Sequence, residues 1–325
     1  MLFDRYGRPF LKLRYILNDE CNYSCIFCHF EGQARRRGVY LTAEDYGFAT
    51  SVFRKVGVSD FKITGGEPLL RRDIDAVVYN IAKTGGAVTL TTNGLLLERW
   101  AAKLAAAGLQ RVNVSVHSTD PGMYSKVTGA PPAALKAVLR GLREARSLGI
   151  SLKINVVVLR GVNTDRDSVK ELVKLAASLD ASLQFIELMP TGEGAHVFEQ
   201  YYEPVETVAK AVAELGGRPL KLRKELHNRP IYVLAGVAIE LIKNYGNASF
   251  CSGCTTMRLT SDGKLKTCIY AEPSVDLMPL IKARDEEGLL YAVKTALAQR
   301  EPRFKLYLAR PAEPGVPSGG VHSSS

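Results

Sequence analysis

Apolar residues along this chain fall into two alternating rhythms. Short runs rich in β-branched, aromatic and leucine side chains occur at residues 11–17, 60–64, 87–92, 111–116, 152–159 and 183–188. Their near-continuous apolar character predicts parallel strands covered on both faces. Between them, residues 43–55, 72–83, 98–107, 133–148 and 168–178 repeat apolar positions with helical spacing. Thr42, with Asp45 three residues on, reads as the N-cap of the first helix. Strand and helix in strict succession predict an α/β fold with right-handed crossovers. Six such units fall short of the eight that close a full barrel. The expected core is therefore a partial (βα)6 TIM-like barrel, with functional residues at the C-terminal ends of its strands.

The rhythm breaks after Met189-Pro190. Residues 191–203 read as loop and 205–214 as a helix. Short strands follow at 231–234 and 237–242, and a last helix at 289–298. This divides the chain into a barrel domain at residues 1–217 and a smaller C-terminal α+β domain at 218–310. Residues 311–325, rich in Pro, Gly and Ser, form a tail expected to be disordered.

Composition narrows the class. Of the 325 residues, 46% are hydrophobic and 23% charged, as in ordinary globular proteins. No apolar run is long enough to span a bilayer. Met1-Leu2-Phe3-Asp4-Arg5 opens no secretory signal. A cytoplasmic protein with no membrane partner is expected. The net charge of +10 fits nucleic acid, an anionic surface or a polyanionic small substrate. Arg35-Arg36-Arg37 and Arg71-Arg72 are too short to choose among these. A zinc-dependent nucleic-acid binder lacks recognition motifs in this chain, so no nucleic-acid partner is expected.

The six cysteines carry more chemistry. They form two groups of three: Cys21, Cys25 and Cys28, then Cys251, Cys254 and Cys268. A cytosolic chain does not spend them on disulfides. Cys21-Asn-Tyr-Ser-Cys25-Ile-Phe-Cys28 directly follows the first strand. Three thiolates in one loop can hold three corners of an iron–sulfur cube and leave the fourth iron open. A structural zinc ion wants four closed ligands, and His29 adjoins Cys28 too closely to complete a tetrahedron easily. Thr64-Gly65-Gly66-Glu67-Pro68 ends the second strand, where two glycines let backbone approach closely. In the second group, Asp262-Gly263 predicts a hairpin turn that returns Cys268 beside Cys251 and Cys254. A second cluster and a zinc knuckle both remain open for that group taken alone.

The N-terminal triad and the Gly-Gly-Glu-Pro run resemble the radical SAM superfamily. The ordered set is narrower. It comprises both of these, Thr91-Thr-Asn-Gly-Leu-Leu-Leu97, Arg111-Val-Asn-Val-Ser115, Lys153-Ile-Asn-Val-Val157, Phe185-Ile-Glu-Leu-Met189 and the C-terminal triad. Together these resemble the GTP 3′,8-cyclase (MoaA) family of molybdenum cofactor biosynthesis, from Arg14 to about residue 298. The resemblance implies two 4Fe-4S clusters with S-adenosylmethionine (SAM) on the first, GTP as substrate, an electron donor and a homodimer. In that family the N-terminal cluster reduces SAM, and the deoxyadenosyl radical takes the ribose 3′ hydrogen of GTP. The carbon radical then attacks C8, while the C-terminal cluster holds the base. The SAM contacts implied here are Phe27, Gly66, Ser115 and Met189. The GTP contacts implied are Arg14, Lys62, Thr91, Lys153 and Arg258, with Arg258 also a catalytic candidate. Several cations at once suit a triphosphate. A charge inside a covered strand, as at Arg14 and Lys153, needs a partner or ligand. His117, after the fourth strand, reads as structural.

Three positions depart from the family pattern. Asp60 stands where a basic residue is usual and Thr256 where Arg is usual. Gly319-Gly320 are followed by Val-His-Ser-Ser-Ser, whereas the family typically ends in Gly-Gly. The first two changes motivate an alternative of the same chemistry on a different substrate, such as a peptide.

Overall fold

A computed structural model describes residues 1–32, 40–223 and 229–304. Arg35-Arg36-Arg37, the 311–325 tail and Gly319-Gly320 lie outside the described residues. The six expected strands are β1 (Lys12–Ile16), β2 (Asp60–Thr64), β3 (Ala87–Thr92), β4 (Arg111–Ser115), β5 (Ser151–Val158) and β6 (Ser182–Glu187). They pair in parallel in chain order, which makes the partial (βα)6 barrel. The crossovers run through α1 (Ala43–Lys55), α2 (Ile74–Ala82), α3 (Leu97–Ala106), α4 (Pro121–Thr128) with α5 (Ala133–Ser147), and α6 (Arg166–Ser178). Thr42 and Asp45 form the expected capping box on α1, accepting from each other's backbone at 3.3 and 2.9 Å. Losing such a cap costs about 1 kcal/mol.

The strands are less uniformly apolar than expected. Leu13 and Tyr15, Phe61 and Ile63, Val112 and Val114, and Leu183 and Phe185 are buried. They belong to the main apolar core, which also contains the buried faces of the helices. Alternate positions on these strands and on β5 carry Lys12, Arg14, Lys62, Asn113, Lys153 and Gln184, and these line an internal cavity. Period-two alternation puts the two sets on opposite faces of the sheet. One face is covered by helices, and the other is a polar barrel interior.

The elements after β6 are α7 (Glu193–Tyr201), α8 (Val205–Glu214), β7 (Arg218–Arg223), β8 (Arg229–Leu234) and β9 (Val237–Ile242). Then come α9 (Ala248–Ser252), β10 (Thr256–Leu259), β11 (Lys264–Lys266), β12 (Val275–Asp276), α10 (Met278–Lys282) and α11 (Glu286–Ala298). Among the described residues, twelve strands form one sheet, in the order β12-β11-β10-β1-β2-β3-β4-β5-β6-β9-β8-β7. The C-terminal strands thus extend the barrel sheet at both edges. β9 adds in parallel to β6, and β10 adds in parallel to β1.

Two helices correct the sequence reading. Residues 191–203, expected as loop, contain α7. Its Phe198 stacks on Tyr202 at 4.5 Å and packs on a small core of Val127, Leu159, Val162 and Leu188. That apolar face is too short to show a period. Helix α4 was not expected either, although Asp120 and Pro121 signal it. The Asp120 carboxylate accepts from the Met123 N–H at 2.7 Å, and Pro121 occupies the first turn.

Candidate active site: two joined chambers

The first chamber, about 600 Å³, opens at the C-terminal ends of β1 to β6. Cys21, Cys25 and Cys28 all line it, with Gly66, Thr91 and Ser115 across from them. The cysteine loop is held from outside by α4: Ser24 N–H donates to Thr128 O at 3.0 Å and Ile26 N–H to Val127 O at 3.1 Å. It is held from inside by the Gly-Gly-Glu-Pro turn. Gly66 N–H donates to Asn18 O at 2.8 Å, and Glu67 N–H to Glu20 O at 2.7 Å. A Cβ on Gly66 would lie 2.1 Å from the Glu20 carbonyl oxygen, so this turn fits the loop only as glycine. The buried Glu67 carboxylate accepts from Thr92 Oγ1 (2.6 Å), Asn93 N–H (2.7 Å) and Leu69 N–H (2.9 Å), which ties β2 to β3. Burial pushes its pKa up, against these three donors.

The second chamber, about 310 Å³, is lined by Cys251, Cys254 and Cys268. The expected hairpin is present: β10 and β11 are antiparallel around Gly263 at φ 77°, and Cys268 follows β11. Arg14, Phe27, His29, Lys62, Val157, Gln184 and Ile186 line both chambers, so the two meet across one shared wall. Among the described residues no three His, Cys, Asp or Glu side chains converge on a single ion position. A cube of iron and sulfide does not ask for that, because its thiolates sit on separate corners. Each triad supplies three soft sulfur donors beside open volume, which suits a cluster with one iron left for a ligand.

Sheet register builds the shared wall. Arg14 on β1 pairs with Lys62 on β2 and with Arg258 on β10, so three cations stand in one row. Lys153 lies further round the second chamber on β5, with Arg229 of β8. Two carboxylates moderate them. Lys153 Nζ donates to Glu240 at 2.8 Å, and Arg229 lies 3.6 Å from the same carboxylate. Arg14 donates to Glu31 at 2.9 and 3.1 Å, Thr64 Oγ1 donates to it at 2.9 Å, and Arg258 Nε is 3.6 Å away. Phe30 and Glu31 adopt φ 49° and 52°, a left-handed turn that costs about 1–3 kcal/mol for non-glycine residues. That turn aims Glu31 back between the two arginines. Burial would raise its pKa, but Arg14, His29 and Arg258 hold it well below the usual carboxylate range. Lys62 is pushed well below the usual lysine value by burial, then by Arg14 and Lys153. Buried polar atoms without a hydrogen-bond partner include Arg14 Nε, Thr91 Oγ1, Asn113 Oδ1, Asn155 Oδ1 and Arg258 Nε. Native interiors rarely leave such atoms unmatched, and these line the chambers.

Comparison with known proteins agrees with this geometry. Residues 15–176 match the Radical SAM superfamily, and residues 181–306 match Molybdenum Cofactor Synthesis C. A curated relative from Pyrobaculum aerophilum, named a probable GTP 3′,8-cyclase, is 74% identical over 94% of this chain and 99% of its own length. The chain belongs to the GTP 3′,8-cyclase family. A relative of the same name from Sulfurisphaera tokodaii is 38% identical over 94% of this chain and 97% of its own. Among solved structures, Streptococcus suis SuiB bound to S-adenosylmethionine matches with a TM-score of 0.66 at 15% identity. It covers 89% of this chain and 68% of that one, a likeness of fold. Radical SAM membership implies a 4Fe-4S cluster and SAM.

For this GTP 3′,8-cyclase family member, the expected contacts divide between the chambers. Phe27, Gly66, Ser115 and Thr91 line the first, and Arg14, Lys62 and Phe27 stand on the shared wall. Lys153, Arg258 and Met189 line the second. Met189, expected near SAM, has its thioether facing Asn244 Nδ2 (2.9 Å) and Tyr270 OH (3.2 Å) on the second chamber's side. His117 is structural: its Nδ1 accepts from Val157 N–H at 3.1 Å and its ring meets Phe27 at 4.4 Å. Burial lowers its pKa to about 3, so it is neutral. Asp60 has a partner that sequence did not reveal. Register sets Lys12 between Asp60 and Thr256, and Lys12 Nζ donates to Asp60 at 2.6 Å. Glu31, Glu240 and Arg229 also escaped the sequence reading, because each acts only through strands distant in the chain. No helix of the described residues is long and apolar enough to cross a membrane.

Proposed function

We infer that this chain is a radical SAM GTP 3′,8-cyclase. It converts GTP to (8S)-3′,8-cyclo-7,8-dihydroguanosine 5′-triphosphate in the first step of molybdenum cofactor biosynthesis. The observation that carries the reading is one wall of cations shared by two chambers, each with its own cysteine triad. The first triad would hold the 4Fe-4S cluster, which when bound supplies the electron that cleaves SAM. Gly66, Ser115 and the Phe27 backbone border the volume left for SAM, and Met189 stands beyond the shared wall. The second triad would hold a second 4Fe-4S cluster beside the guanine base.

The protein's own part is placement. Arg14, Lys62, Lys153 and Arg258 face the volume between the triads, and a triphosphate meets several of them at once. Lys62, crowded by like charge, gains most from an arriving anion. Glu31 pre-orders Arg14 and Arg258 before substrate enters. Thr91, with its hydroxyl unpartnered, is placed to accept or donate to the ribose. Enclosure by β1 to β6 keeps water from a radical intermediate.

The peptide alternative drew on Asp60 and Thr256. Lys12 stands between these two positions and returns a cation to that row, so the triphosphate reading is favoured.

Anaerobically reconstituted enzyme with SAM, dithionite and GTP is expected to release 5′-deoxyadenosine and the cyclic dihydro-GTP product together. Arg258→Ala is expected to lose about 100-fold in product formation, the scale of one buried charged hydrogen bond. SAM turnover with no dependence on GTP, and no GTP-derived product, would overturn the assignment.

A further inference from the structure

We propose that Arg300 and the segment just after α11 are the outer support of the second cysteine triad, and that the Arg300 guanidinium sets the reduction potential of the group bound there. The inference rests on the reading that this triad holds a cluster.

Arg300 is 1% exposed, among the most buried large side chains of the chain. A buried guanidinium is costly unless its donors are used. One of its terminal nitrogens, Nη2, donates to Cys254 O at 2.8 Å, Cys254 Sγ at 3.1 Å and Thr256 O at 3.3 Å. The other, Nη1, lies 3.4 Å from the Asp4 carboxylate. Asp4 also accepts from Arg8 Nε at 2.7 Å, and Arg8 in turn donates to Cys251 O at 3.0 Å. Asp4 is therefore clamped between two arginines, each of which reaches one cysteine of the triad. Next along the chain, Glu301, Pro302 and Arg303 line the second chamber beside the triad.

The network ties the first residues of the chain to the α9–β10 segment, but carbonyl bonding alone does not require the contact to a sulfur. A neutral residue would fill the space without burying two guanidiniums and a carboxylate. It fits thiolates carrying the charge of a cluster. N–H groups aimed at cluster sulfurs, and a fixed positive charge nearby, favour the more reduced and more negative state, which raises the potential. The Cys21–Cys28 loop is gripped through its backbone by the carbonyls of Thr128 and Val127. The contacts of Arg300 thus favour a more easily reduced centre at the second triad. Arg300 touches no substrate and is a positioning residue.

The test uses the full-length chain with Cys21, Cys25 and Cys28 replaced by Ala, so that only the second triad can report. Iron content, the EPR spectrum of the reduced state and its midpoint potential are compared for this background and for the same chain carrying Arg300→Gln or Arg300→Lys. In Arg300→Gln the reduced state is expected to be disfavoured about tenfold, a shift of about 59 mV to more negative potential for a one-electron couple. The EPR lines should also move, and Arg300→Lys, which keeps the charge, should recover part of the shift. Loss of iron from Arg300→Gln with an unchanged apo-protein melting curve also supports the proposal. Full iron with the potential and spectrum of the background overturns it. Should Arg300→Gln fail to fold, Arg300→Lys is read alone: a shift supports the proposal and identity with the background overturns it. A background chain that binds no iron removes the second cluster itself, and this inference with it.

Discussion

The two cysteine triads sit on opposite sides of one wall, yet they are assembled in different ways. The first lies in eight consecutive residues after β1, and the turn after β2 braces it directly. The second draws on Asp4 and Arg8 from the start of the chain, the β10–β11 hairpin, and Arg300 to Arg303 from beyond the last helix. A local loop closes at little entropic cost, and its function survives as a readable motif. A centre gathered from both chain ends exists only once the sheet has closed, and in exchange its surroundings can be tuned at many positions. In the proposed function the first triad generates the radical with a fixed ligand set, and the second holds the substrate with an adjustable one.

The largest expected effect comes from removing one thiol on each side. Cys25→Ala should abolish SAM cleavage, while Cys254→Ala should leave slow SAM cleavage without the cyclic product. Each should bring iron from about eight to about four per chain, the content of two four-iron clusters less one. Chromatography of 5′-deoxyadenosine and of the nucleotide product, beside an iron assay, checks both. Equal loss of SAM cleavage in the two variants would erase the division of labour.

A smaller effect sharpens the substrate side. Lys12→Ala should raise the KM for GTP about threefold to tenfold, because Lys12 is part-exposed and screened and its contribution is about 1 kcal/mol. Asp60→Ala frees Lys12 from its carboxylate and should lower KM. Opposite signs are the signature, and a common sign would remove Lys12 from the phosphate row.

The smallest effect lies far from both triads. Asp45 caps α1 and also meets Lys282 and Arg284. Burial alone would raise its pKa, but Lys282 and the Thr42 backbone hold it below the ordinary value of 3.8. A carboxylate depressed in the folded state stabilises above the unfolded pKa, and that stabilisation is lost as pH falls through the folded one. Asp45→Asn should therefore lower Tm by about 2–4 °C at neutral pH, for a loss of about 1 kcal/mol. The gap from the parent should narrow below pH 3.8 in thermal melts.

Much of this was legible from the chain because the signals were local. The six parallel strands follow from run length and spacing. The first triad and its glycine turn follow from residues adjacent in sequence. The Asp262-Gly263 hairpin follows from turn chemistry, and it delivers Cys268 where expected. Alternation inside the strands was also present, with Arg14 between Leu13 and Tyr15 and Lys153 between Leu152 and Ile154. It shows that one face of each strand is wet, and reading the runs as uniformly apolar hid it. Helix α7 stayed hidden because its apolar face is short and pairs with residues of β5 and α4 neighbourhoods rather than with itself.

By itself, then, the sequence determined the order of the six barrel strands, the first triad, the glycine turn and the cations on β1, β2, β5 and β10, since each depends on residues within a turn or strand of one another. Tertiary structure decided which of those residues meet. Parallel register set Lys62, Arg14 and Arg258 in one row and Lys12 between Asp60 and Thr256. Sheet extension at both edges brought β10 beside β1 and carried the second triad to the shared wall. Burial left Arg300 with no water and a cysteine sulfur as a partner. Charges many residues apart interact only after the chain between them has folded, and no local pattern encodes that distance.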